Sequence, residues 1–399
     1  MLPAFPWCRF TWGAVASLST LALSALPPSG APTRLVQSAP LETTLASPEL
    51  PFAKDVWVDM IRSASQELDF AEFYVMNRPG SALETVLQEL EKAAARGVRI
   101  RFLLSSKMLD QDPASLARLR GLKGAEVRTF DLQKVSKGIL HAKYFLVDGR
   151  EAYVGSQNFD WRALEHIHEM GVRTREEAIT GKLRELFDID WRFAQTGELP
   201  KTAAKPSLPG PRPAVELVAS PPFLTPSDVR SALPALLELL GQAQKSIRIQ
   251  LLTYSPLTGR DGYWPALDNA LRAAAVRGVK VQLLVSDWSL GSRALDHLKS
   301  LCLVPNCEIR IASIPEASSG HIPFARTVHG KYLVVDEDIL WLGTSNWEKD
   351  YFTASRNVEL IFRDAALAAQ AACVFGRVWG SPLARPLEPL RRYEKRKVD

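Results

Sequence analysis

The chain has 399 residues, of which 46% are hydrophobic and 23% charged, with a formal net charge of +5 at neutral pH. That length suits two domains of ordinary size, and the apolar share is enough for two real cores. The positive excess is too mild to identify a nucleic-acid binder; it favours polyanionic partners only weakly.

The N-terminus reads as an export signal. Arg9 precedes an uncharged, mostly apolar stretch from Thr11 to Leu26, and Pro27-Pro-Ser-Gly-Ala-Pro32 follows. The stretch suits a signal peptide of residues 1–31 and is short for a membrane span; an uncleaved anchor is the alternative. Cys8 lies before the apolar run, whereas a lipoprotein cysteine would follow it. Residues 32–48 are polar and rich in Pro, Ser and Thr, and read as a flexible lead-in. None of the six asparagines starts an Asn-x-Ser/Thr sequon. That favours an exported bacterial protein, periplasmic or extracellular, over a lumenal eukaryotic glycoprotein.

Two similar halves follow, over residues 49–198 and 214–390. Each is expected to open with an apolar strand (68–76 and 247–254). A helix comes next (81–96 and 263–277), then a buried strand beginning at Val98 or Val279, then another helix and strand. Two further strands and a closing helix complete each half. Helix–strand alternation of this kind implies α/β layers with helices covering a sheet. Glu91-Lys-Ala-Ala-Ala-Arg-Gly-Val98 is echoed by Arg272-Ala-Ala-Ala-Val-Arg-Gly-Val279, so the duplication covers more than isolated residues. Between the halves, residues 199–213 hold five prolines and read as an extended linker. Residues 391–399 form a basic tail, read as solvated and frayed. Cys302 and Cys307 are close enough in sequence to pair in an oxidising compartment, and Cys373 sits in an apolar helical run suited to core packing.

The chemistry-bearing residues also occur twice. His141-Ala-Lys143, Asp148 and Gly155-Ser156-Gln157-Asn158 recur as His329-Gly-Lys331, Asp336 and Gly343-Thr344-Ser345-Asn346, all at one offset of 188 positions. Two facing imidazoles can divide nucleophile and general acid between them at one phosphorus. Two lysines and two asparagines would hold the non-bridging oxygens, and lysine supplies charge to a phosphate without a metal. No HExxH, paired CxxC or calcium-loop pattern occurs, so the expectation is no metal and no cofactor. Asp148 and Asp336 end short apolar runs and suit a supporting role in a turn. His166, His168, His297 and His321 lack repeated context and read as surface or loop residues.

The spacing HxK, four residues, Asp, six residues, Gly-Ser/Thr-x-Asn resembles the signature of the phospholipase D superfamily, and both copies match it. The resemblance implies two α-β-α sandwich halves related by a pseudo-twofold axis, with both motifs meeting in one cleft. It implies His141, Lys143, Asn158, His329, Lys331 and Asn346 as catalytic residues, supported by Ser156 and Thr344, with Glu169 and Glu359 each orienting a histidine. A two-motif chain would be catalytically complete as a monomer. Gly155-Ser-Gln-Asn-Phe-Asp-Trp-Arg162, Ile322-Pro-Phe-Ala-Arg326 and Gly343-Thr-Ser-Asn-Trp-Glu-Lys-Asp-Tyr-Phe352 further resemble the branch holding the lysosomal phospholipase-D-like 5′→3′ exonucleases and the poxvirus envelope phospholipase-like proteins.

That narrower likeness, rather than composition, favours a single-stranded DNA or RNA exonuclease working through a phospho-histidine. The alternative is a phospholipase D or phosphatidyl-transferase acting on membrane phospholipids. A nuclease needs aromatic and basic groups along its cleft, for which Tyr254, Trp264, Phe324 and Arg326 are the candidates. The near-symmetry of the copies leaves open which histidine attacks.

Overall fold

The computed structural model describes residues 31–200, 212–259 and 262–399. The expected export signal and most of the expected linker lie outside the described residues. No described helix is long and apolar enough to cross a membrane.

Each half is built on one mixed sheet with the same strand order. The first half runs β1 (Thr33–Ser38), α1 (Ala53–Ser63), β2 (Glu67–Glu72), α2 (Ala82–Ala95), β3 (Arg99–Ser105), α3 (Pro113–Arg120), β4 (Ala125–Phe130), β5 (Tyr144–Val147), β6 (Glu151–Gly155), β7 (Glu169–Thr174) and α4 (Glu177–Thr196). Its sheet order is β1-β7-β6-β5-β2-β3-β4.

The second half repeats this as β8 (Val215–Ser220), α5 (Ala232–Gln242), β9 (Ser246–Leu251), α6 (Ala266–Val276), β10 (Lys280–Ser286), α7 (Leu295–Cys302), β11 (Cys307–Ala312), β12 (Tyr332–Val335), β13 (Ile339–Gly343), β14 (Asn357–Arg363) and α8 (Ala365–Trp379). Its sheet follows the matching order β8-β14-β13-β12-β9-β10-β11, with a short strand added at each edge.

Three apolar cores explain the layering. Helices α1, α2 and α3 cover the outer face of the first sheet, and α5, α6 and α7 cover that of the second. The inner faces of both sheets share a third core with α4 and α8, through side chains such as Phe187, Trp191, Val374 and Phe375. Strands buried on both faces need near-continuous apolar runs, which is what Ile100–Leu104 and Val281–Val285 supply.

Several expectations are corrected here. Each half opens not with the strand near residue 68 or 247 but with an earlier strand and a helix. Residues 32–48 are therefore no flexible lead-in: Thr33–Ser38 pairs antiparallel along all of β7, and Gln37 anchors the segment after it through Ser47 and Leu50. The second-half helix begins at Ala266 rather than 263, because Gly262–Tyr263 pairs with Leu257–Thr258 in a hairpin and Pro265 caps the helix.

The basic tail is docked, with Tyr393 against the second-half core and Arg396 paired to Asp287. Cys302 and Cys307 are free thiols, and Cys373 lies on the exposed face of α8 rather than in the core. His168 is fully buried and His166 nearly so, contrary to a surface reading.

The halves are joined where the motifs lie. Leu140 bridges Arg356 in parallel fashion, and Val328 bridges His168 in the same way. The amide N–H of His141 donates to the Arg356 carbonyl and that of His329 to the His168 carbonyl, 2.9 and 2.8 Å. Each motif histidine is thus fixed by backbone of the opposite half.

Candidate active site

The Asp of each motif closes a turn remote from the chemistry. Asp148 and Asp336 both have positive φ. The Asp148 carboxylate accepts the N–H groups of Ser65, Gln66 and Glu67, and the Asp336 carboxylate those of Gln244, Lys245 and Ser246. Each ties the turn after α1 or α5 to the end of the motif strand, which fixes where β5 and β12 stop.

At the opposite ends of these strands, His141 and His329 line one cavity of about 250 Å³ together with Asn158 and Asn346. Lys143 and Lys331, each 1% exposed, lie behind them. Their ammonium groups donate to the carbonyl of the motif histidine two residues earlier, at 2.6 and 2.7 Å. Burial lowers the Lys143 ammonium to about 7 despite the attraction of Glu72 and Glu169, and holds that of Lys331 well below its usual range. A bound anion would favour the charged form of both. The Oδ1 atoms of Asn158 and Asn346 are buried and have no hydrogen-bond partner among the described residues.

The glycines of the motif are required by close approach. A Cβ on Gly155 would strike the Gln157 side chain and the Tyr153 hydroxyl, and one on Gly343 would strike Glu359.

The partners of the two histidines differ. His329 Nδ1 lies 2.8 Å from Glu169 Oε2, while His141 Nδ1 lies 3.1 Å from Asn357 Oδ1. The Asn357 amide is oriented by its own donor, which reaches the Tyr351 carbonyl at 2.9 Å, and by the Thr344 hydroxyl, which donates to Oδ1 at 2.9 Å. Each Nδ1–H is therefore spoken for, and each Nε2 is left for the cavity.

Burial pushes both imidazoles below their ordinary value, His141 further by the neighbouring Lys143 and Lys331, His329 with Glu169 opposing. Burial also raises the Glu169 carboxyl, but His329 and Lys331 outweigh it and keep the group below its usual range.

Glu359 does not orient a histidine. Its carboxyl pairs with the Ser345 hydroxyl, and burial pushes it up to about 8, a neutral acid at pH 7. Asn357, not Glu359, stands 188 positions after Glu169. Approximate distance from the motif favours Glu359, the expectation above; the constant offset of the motif would have pointed to Asn357. Glu72, buried beside Lys143, has no such signal, because strand register sets Leu251 in the matching place.

Of the four substrate-contact candidates, Phe324 alone lines the cavity, the residue being 49% exposed. Tyr254 is a core residue whose hydroxyl donates to Asp268. Trp264 packs on Phe352 in the second-half core. Arg326 is buried and braces loops by donating to the Pro315 and Leu41 carbonyls.

The cavity wall is instead supplied by Phe73, Tyr74, Trp288 and Tyr351, which carried no repeated pattern. Phe73 and Tyr351 meet the His141 ring edge-on at 5.1 and 4.8 Å. Among the described residues, no group of three or more His, Cys, Asp or Glu side chains could hold a metal ion.

Comparison with known proteins bears on the family and the fold. The family model described as cardiolipin synthase, PLD-like domain, matches twice, over residues 57–191 and 236–379. The chain is 32% identical to the 5′-3′ exonuclease PLD3 of Bos taurus over 395 residues, covering 89% of this chain and 80% of that one. It is also 32% identical to phospholipase D Z of Dictyostelium discoideum over 392 residues, covering 90% and 91%. Among solved structures, the phosphatidylserine synthase of Haemophilus influenzae shares the fold, with a TM-score of 0.62 at 12% identity over 84% of this chain and 85% of that one.

Proposed function

The chain belongs to the phospholipase D superfamily, and from that premise we propose that it is a metal-independent phosphodiesterase that degrades single-stranded nucleic acid from an end. The 5′→3′ direction is that of the mammalian relatives' names. The observation that carries the nucleic-acid reading is the cavity wall. Phe73, Tyr74, Trp288, Phe324 and Tyr351 surround the two imidazoles, and aromatic faces accept bases of any sequence by stacking.

The roles of the histidines follow from their unequal partners. A histidine phosphorylated at Nε2 carries a cationic ring while its Nδ1–H is retained, so the Glu169 carboxylate that holds this Nδ1–H favours His329 as nucleophile. His141, with a neutral partner, is the stronger acid once protonated and suits the leaving oxygen.

In the first step the His329 Nε2–P bond forms, the P–O bond to the leaving alcohol breaks, and His141 gives that oxygen its proton. In the second, His141 takes a proton from water as the water oxygen bonds to phosphorus and the N–P bond breaks. Two inversions give retention at phosphorus. Lys143, Lys331, Asn158 and Asn346 hold the non-bridging oxygens through both steps.

The test uses protein lacking residues 1–31, in excess chelator, with end-labelled single-stranded DNA and RNA and, in parallel, labelled phosphatidylcholine and phosphatidylglycerol. Stepwise shortening of the oligonucleotides with intact lipids is expected. Headgroup release with intact oligonucleotides would move the protein to phospholipids, as the name of the Dictyostelium relative suggests. Loss of activity in chelator that added metal restores would remove the metal-free chemistry.

The roles are separated by an ester with a 4-nitrophenol leaving group, which needs no acid. His141→Ala should still release about one equivalent of 4-nitrophenol and then stall as the phospho-enzyme, while His329→Ala should release none. Export through residues 1–31 is part of the proposal, and N-terminal sequencing of the mature protein checks it.

A further inference from the structure

Two rings on the second-half side of the cavity, Trp288 and Phe324, come from separate loops and lie 6.4 Å apart at 75°. Trp288 sits in the short turn Asp287–Gly291 after β10. Phe324 lies in the long loop before His329, where it and Arg326 both have positive φ, 57° and 53°. Side chains rarely adopt that backbone unaided, so something outside the loop must hold it.

The holding contacts come from elsewhere in the fold. Arg162 of the first half, itself locked to Asp160, donates to the Pro323 carbonyl at 3.0 Å. The Phe324 N–H donates to the Val398 carbonyl at 2.8 Å. Arg396 Nη1 donates to the Arg326 carbonyl at 3.0 Å and also meets both carboxylate oxygens of Asp287 at 2.8 and 2.7 Å; Nη2 reaches the Ile314 carbonyl at 3.3 Å. One guanidinium therefore joins the Phe324 loop to the turn that carries Trp288. The pair is largely shielded, with Arg396 20% and Asp287 7% exposed at the side chain. The segment that brings Arg396 there is anchored by Tyr393 on the second-half core.

We infer that Arg396 is a positioning residue that sets the gap between Trp288 and Phe324, and so fixes the aromatic slot that receives a nucleobase next to the scissile phosphate. Arg396 touches neither substrate nor the reacting atoms. Its effect should appear in substrate affinity and base preference, and not in the chemical step. The inference rests on the nucleic-acid reading of the same cavity.

The experiment compares wild type, Arg396→Ala, Arg396→Lys and Phe324→Ala on two substrates: a single-stranded oligonucleotide and methyl 4-nitrophenyl phosphate, a diester without a base whose one ring departs with the leaving group. Arg396→Ala should raise KM for the oligonucleotide about tenfold and flatten preference among terminal bases, with turnover of the baseless diester unchanged. Arg396→Lys should recover only part of the affinity, because an ammonium cannot span the carboxylate and both carbonyls.

The double variant Arg396→Ala, Phe324→Ala should bind no worse than Phe324→Ala alone, since the ring being positioned is gone. Wild-type affinity in Arg396→Ala, or equal losses on both substrates in the lysine variant, would overturn the inference. Wild-type protein that turns over the baseless diester but no oligonucleotide would instead reject the nucleic-acid reading, and this inference with it.

Discussion

Glu169 pairs with His329, a histidine of the opposite half, at 2.8 Å. The cross-pairing follows from the bridges between the halves, because His168 backbone is joined to residues 327–329 and the next side chain along β7 must face the motif histidine. Glu169→Gln keeps an acceptor but removes the charge that balances a phosphorylated His329. We expect kcat to fall by about 10²-fold with KM little changed. Steady-state kinetics on the oligonucleotide check this, and an unchanged kcat would mean that the carboxylate only fixes the ring.

The pH profile should be bell-shaped and acid-shifted. His141 must carry a proton to act as the acid, and His329 must lack one to attack, while burial holds both imidazoles below their ordinary value. Activity therefore falls as pH rises and His141 empties, and falls as pH drops and His329 fills, with the optimum below about 6.5. Asn357→Asp puts a carboxylate beside His141, favours its protonated form and should extend activity to higher pH. Glu169→Gln removes the opposing charge from His329 and should extend the remaining activity to lower pH. Profiles of kcat/KM for the three proteins decide it; identical limbs would detach these two side chains from the titrating groups.

The motif residues and the duplicated α/β plan were legible because they are local: each copy is a strand, a turn and a strand read from neighbouring residues. What failed depended on the other half. Glu359 looked like the second orienting acid by approximate distance, yet it fills space over Gly343, and the residue facing His141 is set by the Leu140–Arg356 bridge. The strand Thr33–Ser38 reads as polar and short, and becomes a strand only because β7 offers it an edge. Tyr254, Trp264 and Arg326 were aromatic or basic near the motif, but sequence nearness does not reveal which side of a strand or loop faces the cavity.

The equal spacing from lysine to aspartate in the two copies serves the fold, not the phosphate. Asp148 and Asp336 each accept three backbone N–H groups at a turn away from the cavity. Asp148→Ala or Asp336→Ala should cost about 1–2 kcal/mol of stability each, with kcat per folded molecule unchanged. Thermal unfolding and active-site-titrated turnover measure the two effects separately. A large loss of kcat at full folding would assign the aspartates to chemistry after all.

The halves are also locked by a fully buried ion pair, Asp190 of α4 with Arg356 at 2.7 Å, and Arg356 further donates to the carbonyls of Ser220 and Leu224. Because the backbone of Arg356 holds His141 through its carbonyl, a change at Asp190 reaches the site by two steps. Asp190→Ala would strand the guanidinium without its counter-charge and should cost about 3–5 kcal/mol. Activity should fall with it, because the loop that fixes His141 loosens. Replacing the pair together, Asp190→Leu with Arg356→Met, removes the stranded charge and should recover most of the stability. It should not recover all of the activity, since the Ser220 and Leu224 carbonyls lose the donor that set Arg356 in place. Melting temperature and kcat of the single and double variants check both halves of this expectation. A double variant as unstable as Asp190→Ala would show that packing, not the unpaired charge, carries the cost.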